Sequence, residues 1–183
     1  VSLIQAVLPH MRTRGSGAVV TMSSVGGFVA SQGFGTYCAT KAAIEAYSEA
    51  LRQELRPFGI DVLIVQPGSY RTGFGSSRLH RSPMLGAYAD SPANRARRRA
   101  DVMDGSQPGD PSAAVNLVRD VLRSPNIPLR LVLGRDAIDG VRDKLETYAG
   151  EVTEWELRSE QTALKRPGND QNGGHATDGA GRL

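Results

Sequence analysis

Two short apolar runs separated by one long helical pattern constrain this chain more than any other feature. Ala18-Val19-Val20-Thr21-Met22 is the first run and Ile60-Asp61-Val62-Leu63-Ile64-Val65 the second. Both are rich in β-branched residues and scarcely alternate, which marks strands buried on both faces. The spacing between them predicts a helix from about Thr36 to Arg56, stopped by Pro57-Phe58-Gly59. Strand, helix and strand within residues 18–65 form a βαβ crossover, so the strands run parallel with a right-handed connection. The expected fold class is α/β with a doubly wound parallel sheet.

The remaining segments extend this plan. Leu3, Ile4, Val7, Leu8 and Met11 recur at spacings of three and four, so residues 1–13 read as a helix, with Pro9 kinking it or lying in a helix already running. Arg14-Gly15-Ser16-Gly17 is a turn signal. Residues 69–110 lack strong periodicity and read as a long surface excursion with one or two short helices. Asp110-Pro111 opens a helix over 111–123, residues 129–134 form a short strand, and residues 136–162 form a largely solvent-facing helix with eight acidic and three basic residues. Residues 166–183 are glycine-rich and polar, too poor in apolar side chains to offset the entropy of ordering. The expected organisation is a single domain over 1–162 and a disordered tail over 163–183.

Composition excludes several classes of function. The chain has one cysteine, Cys38, so neither an internal disulfide nor a cysteine-based zinc site is available. Its three histidines (His10, His80, His175) lack ligand spacing, and no metal site is expected. A lone thiol is compatible with a reducing cytoplasm, and no apolar run reaches the ~18–20 residues of a membrane helix. Formal net charge is only +3. Residues 78–101 carry Arg78, Arg81, Arg95, Arg97, Arg98 and Arg99 against Asp90 and Asp101. That stretch is either a solvated helix face or an anion-facing patch. No aromatic residues interleave with the arginines as a single-strand nucleic-acid binder requires, so no nucleic acid or membrane partner is expected.

The chemistry centres on Tyr37-Cys38-Ala39-Thr40-Lys41. Tyrosine and lysine four apart share one helix face. An ammonium beside a phenol stabilises the tyrosinate form, and a tyrosine so tuned can pass a proton in step with substrate chemistry. Position adds weight to a pair that is common by chance. Ligands of open α/β sheets bind beyond the carboxyl ends of the strands. Ser23-Ser24 stand at that end of the first strand, Pro67-Gly68 at that end of the second, and Tyr37 enters near the start of the connecting helix. Ser24, across a glycine-rich loop, could hold a carbonyl oxygen that Tyr37 protonates; a strand-end cap is its plainer reading. Cys38 reads as a small packed filler.

Taken in order, Gly17-Ala18-Val19-Val20-Thr21-Met22-Ser23-Ser24-Val25-Gly26, Tyr37-Cys38-Ala39-Thr40-Lys41-Ala42-Ala43 and Pro67-Gly68-Ser69-Tyr70-Arg71-Thr72 resemble the short-chain dehydrogenase/reductase family. The likeness is close over about residues 1–75 and looser through Gly109-Asp110-Pro111 and Leu131–Ala137. It implies a Rossmann-like fold and hydride transfer between NAD or NADP and an alcohol or carbonyl compound. It further implies Tyr37 as general acid/base, Lys41 supporting it and binding the nicotinamide ribose, and Ser24 orienting the substrate oxygen, with Ser23 as the competing serine. Pro67 and Gly68 would pass behind the nicotinamide, with the Tyr70 backbone and the Thr72 side chain near its carboxamide or phosphates. Residues 69–105 would cover the substrate, with Phe74, Leu79, Met84, Leu85 and Tyr88 lining an apolar pocket.

The family's glycine-rich phosphate loop has no counterpart here, since Gly26-Gly27 and Gly33-Gly35 lack the dinucleotide spacing. The expectation is an incomplete fold without its N-terminal strands, its first strand edge bare, poorly stable and inactive alone. The other reading is a non-catalytic module retained for oligomerisation. On the helix over 36–56, Ile44, Tyr47, Leu51 and Leu55 form a large apolar stripe, and one of the helix's two stripes packs on the sheet. Ala39, Ala43, Ala46 and Ala50 form the small stripe; the stripe not on the sheet meets a neighbouring helix or a second subunit, as a homo-oligomer would need, or both stripes are plain core.

Overall fold

The computed structural model describes residues 1–74 and 82–164. Its first compact unit is Val1–Glu146 and its second Thr147–Leu183. The first unit is built on a three-stranded parallel sheet in the order β1-β2-β3, with β1 Gly17–Met22, β2 Ile60–Pro67 and β3 Arg130–Leu133. Helices α1 (Ser2–Arg14) and α2 (Gly35–Leu55) precede and follow β1. Helices α3 (Pro92–Val102) and α4 (Pro111–Leu122) lie between β2 and β3, and α5 (Arg135–Glu160) follows β3 across the boundary between the units.

The central strand explains why the sequence pattern was legible. Val62, Leu63, Ile64 and Val65 are all 0% exposed, as a central parallel strand requires. Successive side chains alternate faces. Val62 joins Leu8, Val19, Leu51 and Leu55 on the α1/α2 side, with Ile4, Met11 and Tyr47 packed around them. Leu63 and Val65 join Leu133 on the other side, where Ala114, Val118 and Leu122 of α4 close the layer. Burying each such aliphatic side chain is worth roughly 1.5–3 kcal/mol. The sheet is therefore covered by helices on both faces, a Rossmann-like α/β architecture.

Local chemistry fixes the ends of the elements. Gly15 (φ 68°) terminates α1, its amide and that of Ser16 returning to Arg12 and Met11. Gly59 (φ 66°) stands directly before β2, and a Cβ there would lie 2.5 Å from the Gly15 carbonyl oxygen. The two turns that launch β1 and β2 thus nest together, and glycine is the residue that permits it. Pro9 lies inside α1, and the Thr13 hydroxyl donates to its carbonyl. Asp110 caps α4 by accepting from Ser112, with Pro111 at the first helical position.

Three expectations are revised. The face that α2 turns inward is Cys38, Glu45, Ser48, Leu51 and Leu55, while Ile44 and Tyr47 are half-buried beside it. Ala39, Ala43, Ala46 and Ala50 are all exposed, so the small stripe is no part of the core of this unit. β2 runs on through Gln66 and Pro67 because β3 pairs with its last residues, Pro67 opposite Leu133. The expected tail falls almost wholly on residues 165–183, outside the described residues, as does Leu79. No described helix is long and apolar enough to cross a membrane.

Candidate active site

The carboxyl ends of β1 and β2 lie side by side, Met22 opposite Val65, and the chain leaves β1 directly into the site. The Ser23 amide donates to the Val65 carbonyl, extending the strand pairing by one rung. Ser24 is extended and caps the 3-10 turn Val25–Gly27, its Oγ accepting from the Gly26 amide at 3.1 Å. The same hydroxyl reaches the Pro67 carbonyl at 3.5 Å, the outer limit of a hydrogen bond. The plainer cap role is thus present, and the hydroxyl proton remains weakly held and free to rotate. Ser23 is 3% exposed and donates to Glu45 Oε1 at 2.7 Å. That commitment leaves Ser24 as the serine available to a ligand.

Tyr37 stands in the first turn of α2. Its ring packs on Phe74 with centroids 5.3 Å apart at 52°. A Cβ at Gly26 would lie 3.3 Å from the Tyr37 ring, 3.4 Å from Cys38 Sγ and 3.5 Å from Ser24 Oγ. Gly26 is therefore the joint around which the serine and the tyrosine close. The Tyr37 hydroxyl has no hydrogen-bond partner among the described residues. Lys41, one turn on, donates Nζ to the Met22 carbonyl at 2.9 Å and lies 5.8 Å from the Tyr37 ring centroid. Cys38 is a buried free thiol, the packed filler its position implies.

A cavity of ≈ 590 Å³ opens at this strand edge, bordered by Ser24, Tyr37, Pro67, Gly68, Tyr70 and Thr72. Six of the seven candidate site residues thus share one space, while Lys41 stands behind Tyr37 against β1. The amides of the Pro67–Thr72 segment are engaged except that of Tyr70, which has no partner among the described residues. Gly68 donates to Leu133, Arg71 to Gly109 and Thr72 to Tyr70, while the Ser69 amide donates to Asp136 Oδ2 at 2.8 Å. The Tyr37 and Thr72 hydroxyls remain unpaired among the described residues. Two unpaired hydroxyls beside an apolar wall fit a flat ring carrying a carboxamide and a ribose, the nicotinamide end of a dinucleotide. They do not provide the nest of free amides that a pyrophosphate requires.

The Tyr70 side chain is packed into the fold. A Cβ at Gly109 would lie 2.6 Å from its ring, and one at Gly134 3.6 Å from the ring. Burial, then the neighbouring Asp136 carboxylate, raises the Tyr70 phenol above its ordinary 10.0. A raised folded-state pKa favours the neutral phenol, so its stabilising contribution is complete below pH 10.0 and is lost as pH rises through the folded-state value. Melting temperatures between about pH 9 and 11 should fall less steeply in Tyr70→Phe than in the unmodified protein.

A second cavity, of ≈ 530 Å³, is also bordered by Tyr37, together with Phe34, Met84, Leu85, Tyr88 and Arg97. The single apolar pocket expected from the sequence is thus two, with Phe74 on the first and Met84, Leu85 and Tyr88 on the second. Tyr37 and Phe34 border both. The arginines of α3 are partly spent on structure. Arg95 donates to the Asp90 carbonyl, Arg97 to Ser82 and Arg98 to Ala89, fastening the preceding loop. Arg78 and Arg81 lie outside the described residues.

Sequence reading missed Glu45. It is 4% exposed and accepts from Ser23 and from Gln66 Nε2, the latter at 2.8 Å, beneath the site. Two signals pointed to it: Glu45 continues the four-residue spacing of Tyr37 and Lys41, and Gln66 interrupts an otherwise apolar strand.

Comparison with known proteins bears on the family and the fold. The family model for short chain dehydrogenase matches residues 1–82. A 3-ketodihydrosphingosine reductase of Bacteroides thetaiotaomicron is 45% identical over 94 residues, 50% of this chain and 35% of that protein. An oxidoreductase of Botryotinia fuckeliana is 31% identical over 158 residues, 82% of this chain and 55% of that protein. The crystal structure of a short-chain dehydrogenase from Streptomyces avermitilis superposes with TM-score 0.79 at 44% identity, covering 88% of this chain and 58% of that one. The chain spans about half or less of the curated relatives it matches. Parallel sheet, motif order and these likenesses together make the chain a member of the short-chain dehydrogenase/reductase family.

Proposed function

We propose that the natural protein carrying these residues is an NAD- or NADP-dependent oxidoreductase acting on an alcohol or carbonyl compound. The observation that carries this reading is the cavity shared by Ser24, Tyr37 and Thr72, with the Tyr37 hydroxyl unpaired at its wall. A bound nicotinamide supplies or accepts the hydride. Tyr37 Oη gives a proton to the substrate oxygen in reduction and takes it back in oxidation, so no free alkoxide forms. Ser24 Oγ turns from Pro67 to hold the same oxygen. Lys41 has three donors and spends one on Met22. The other two are available to a ribose hydroxyl.

Pro67, Gly68, Tyr70 and Thr72 form the wall on the cofactor side, Thr72 through its hydroxyl and Tyr70 by bracing the segment from below. The apolar side chains Phe74, Met84, Leu85 and Tyr88 support a moderately apolar alcohol or ketone as substrate. The lone thiol supports a cytoplasmic setting, and the exposed alanines of α2 support association with a second copy of the chain. No glycine-rich turn with phosphate-loop spacing occurs among the described residues, so turnover is proposed for the natural protein and not for these 183 residues alone. Oxidation of NADH and NADPH with a panel of aliphatic and aromatic ketones tests this. Turnover with at least one ketone is expected; none with either cofactor, in both directions, overturns it.

A further inference from the structure

Glu45 is a buried carboxyl that the proposed proton transfer does not use. An unpaired carboxyl in the interior is costly, so its partners define what it does. Ser23 Oγ donates to Oε1 at 2.7 Å, and Gln66 Nε2 donates to Oε2 at 2.8 Å. Arg130 Nε stands 3.5 Å from Oε2, while its Nη2 pairs with Glu49, one turn further along α2, at 2.8 Å. Ser23 follows β1, Gln66 lies in β2 and Arg130 begins β3. One side chain of α2 thus engages the line of all three strands.

Each partner adjoins a group of the proposed site. Ser23 precedes Ser24, and Gln66 precedes Pro67, whose carbonyl receives the Ser24 hydroxyl. Lys41 lies one turn before Glu45 and holds the Met22 carbonyl, so Lys41–Met22 and Glu45–Ser23 are consecutive rungs between α2 and the end of β1. The turn that carries Ser24 rests on this network, for a Cβ at Gly27 would lie 2.5 Å from Glu45 Oε1 and 2.6 Å from Ser23 Oγ. Ser23 and Gln66 are 3% and 1% exposed, so water does not compete for these bonds.

We propose that Glu45 is a positioning residue, a buried clamp that sets Ser24 against Tyr37 and Lys41 by tying the ends of β1 and β2 to α2. The inference rests on the proposed function for its kinetic consequence, while the clamp itself is a structural claim. Apolar packing would fill the same space, since buried polar groups are often replaced by hydrophobic ones without loss of stability. Directional hydrogen bonds also fix register, and a misplacement of about 1 Å at a reacting centre can cost about 10²-fold in rate.

The test uses the natural protein with saturating cofactor and substrate. Glu45→Met, alone and with Ser23→Ala and Gln66→Leu, is compared with Glu45→Gln. Glu45→Gln can still accept from Ser23, and Gln66 can turn its amide to accept in return. The expected result for Glu45→Met and the triple variant is kcat lower by about 10²-fold with KM nearly unchanged, together with faster hydrogen exchange at the Ser23–Gly27 amides. Glu45→Gln is expected to restore most of both. The proposal is overturned if the triple variant is folded and keeps its kcat, if exchange at Ser23–Gly27 is unchanged, or if Glu45→Gln is as impaired as Glu45→Met. Tyr37→Phe is run alongside. If it retains turnover, the functional reading fails, and the exchange data still decide the clamp.

Discussion

Tyr37→Phe should lower kcat by about 10²- to 10⁴-fold, the range of general acid–base contributions, while leaving the fold unchanged. Phenylalanine keeps the ring and hence the contact with Phe74 at 5.3 Å and the close approach to Gly26. Only the hydroxyl is removed, and it has no hydrogen-bond partner among the described residues. Truncation therefore orphans no described group, and the melting temperature should move little. What is lost is the hydroxyl proposed as the proton donor, in the cavity that Ser24 also borders. Steady-state kinetics in both directions, with a thermal melt on the same samples, checks this. A variant that turns over at the unmodified rate would remove Tyr37 from the mechanism.

Gly27→Ala should cost about 2–4 kcal/mol of stability, combining overpacking with disruption of a buried hydrogen bond. The new methyl would lie 2.5 Å from Glu45 Oε1, 2.6 Å from Ser23 Oγ and 3.1 Å from the Lys41 carbonyl carbon. The first two atoms belong to one buried hydrogen bond, so neither can withdraw without breaking it. The third is helix backbone and cannot yield. The conformation of Gly27 is open to any residue, so the cost is steric. Gly35→Ala is the matched control. A Cβ at Gly35 meets nothing within 4 Å at the start of α2, and alanine there should be neutral or slightly stabilising. Urea unfolding of both variants separates the two cases; equal midpoints would exclude the packing argument at Gly27.

Which parts of the fold and site were legible follows the range of the forces involved. The bounds of β1 and α2, to within a residue, and the start of β2 were readable because strand burial, helix period and the Pro57–Gly59 stop are local. So was the sharing of one helix face by Tyr37 and Lys41, which spacing alone dictates. Ser24 and Pro67 fell on one rim because parallel strands place their carboxyl ends together. The inward face of α2 was legible at Leu51 and Leu55 but not at Glu45 and Ser48, because these carry polar atoms. A polar residue can face a core only when partners await it, and those of Glu45 are 21, 22 and 85 residues away in sequence.

The sequence by itself determined that this chain builds a parallel βαβ unit with a serine, a tyrosine and a lysine at one edge. Local periodicity and steric preference suffice for that, whatever surrounds the unit. Only the tertiary structure decided that Ser23 is spent on Glu45 and Ser24 is not, that Lys41 leans on Met22, and that Tyr37 borders two cavities. Those outcomes depend on the register of β1 on β2 and of β2 on β3. Register is fixed by burying both faces of the sheet at once, a condition that no single segment of sequence contains.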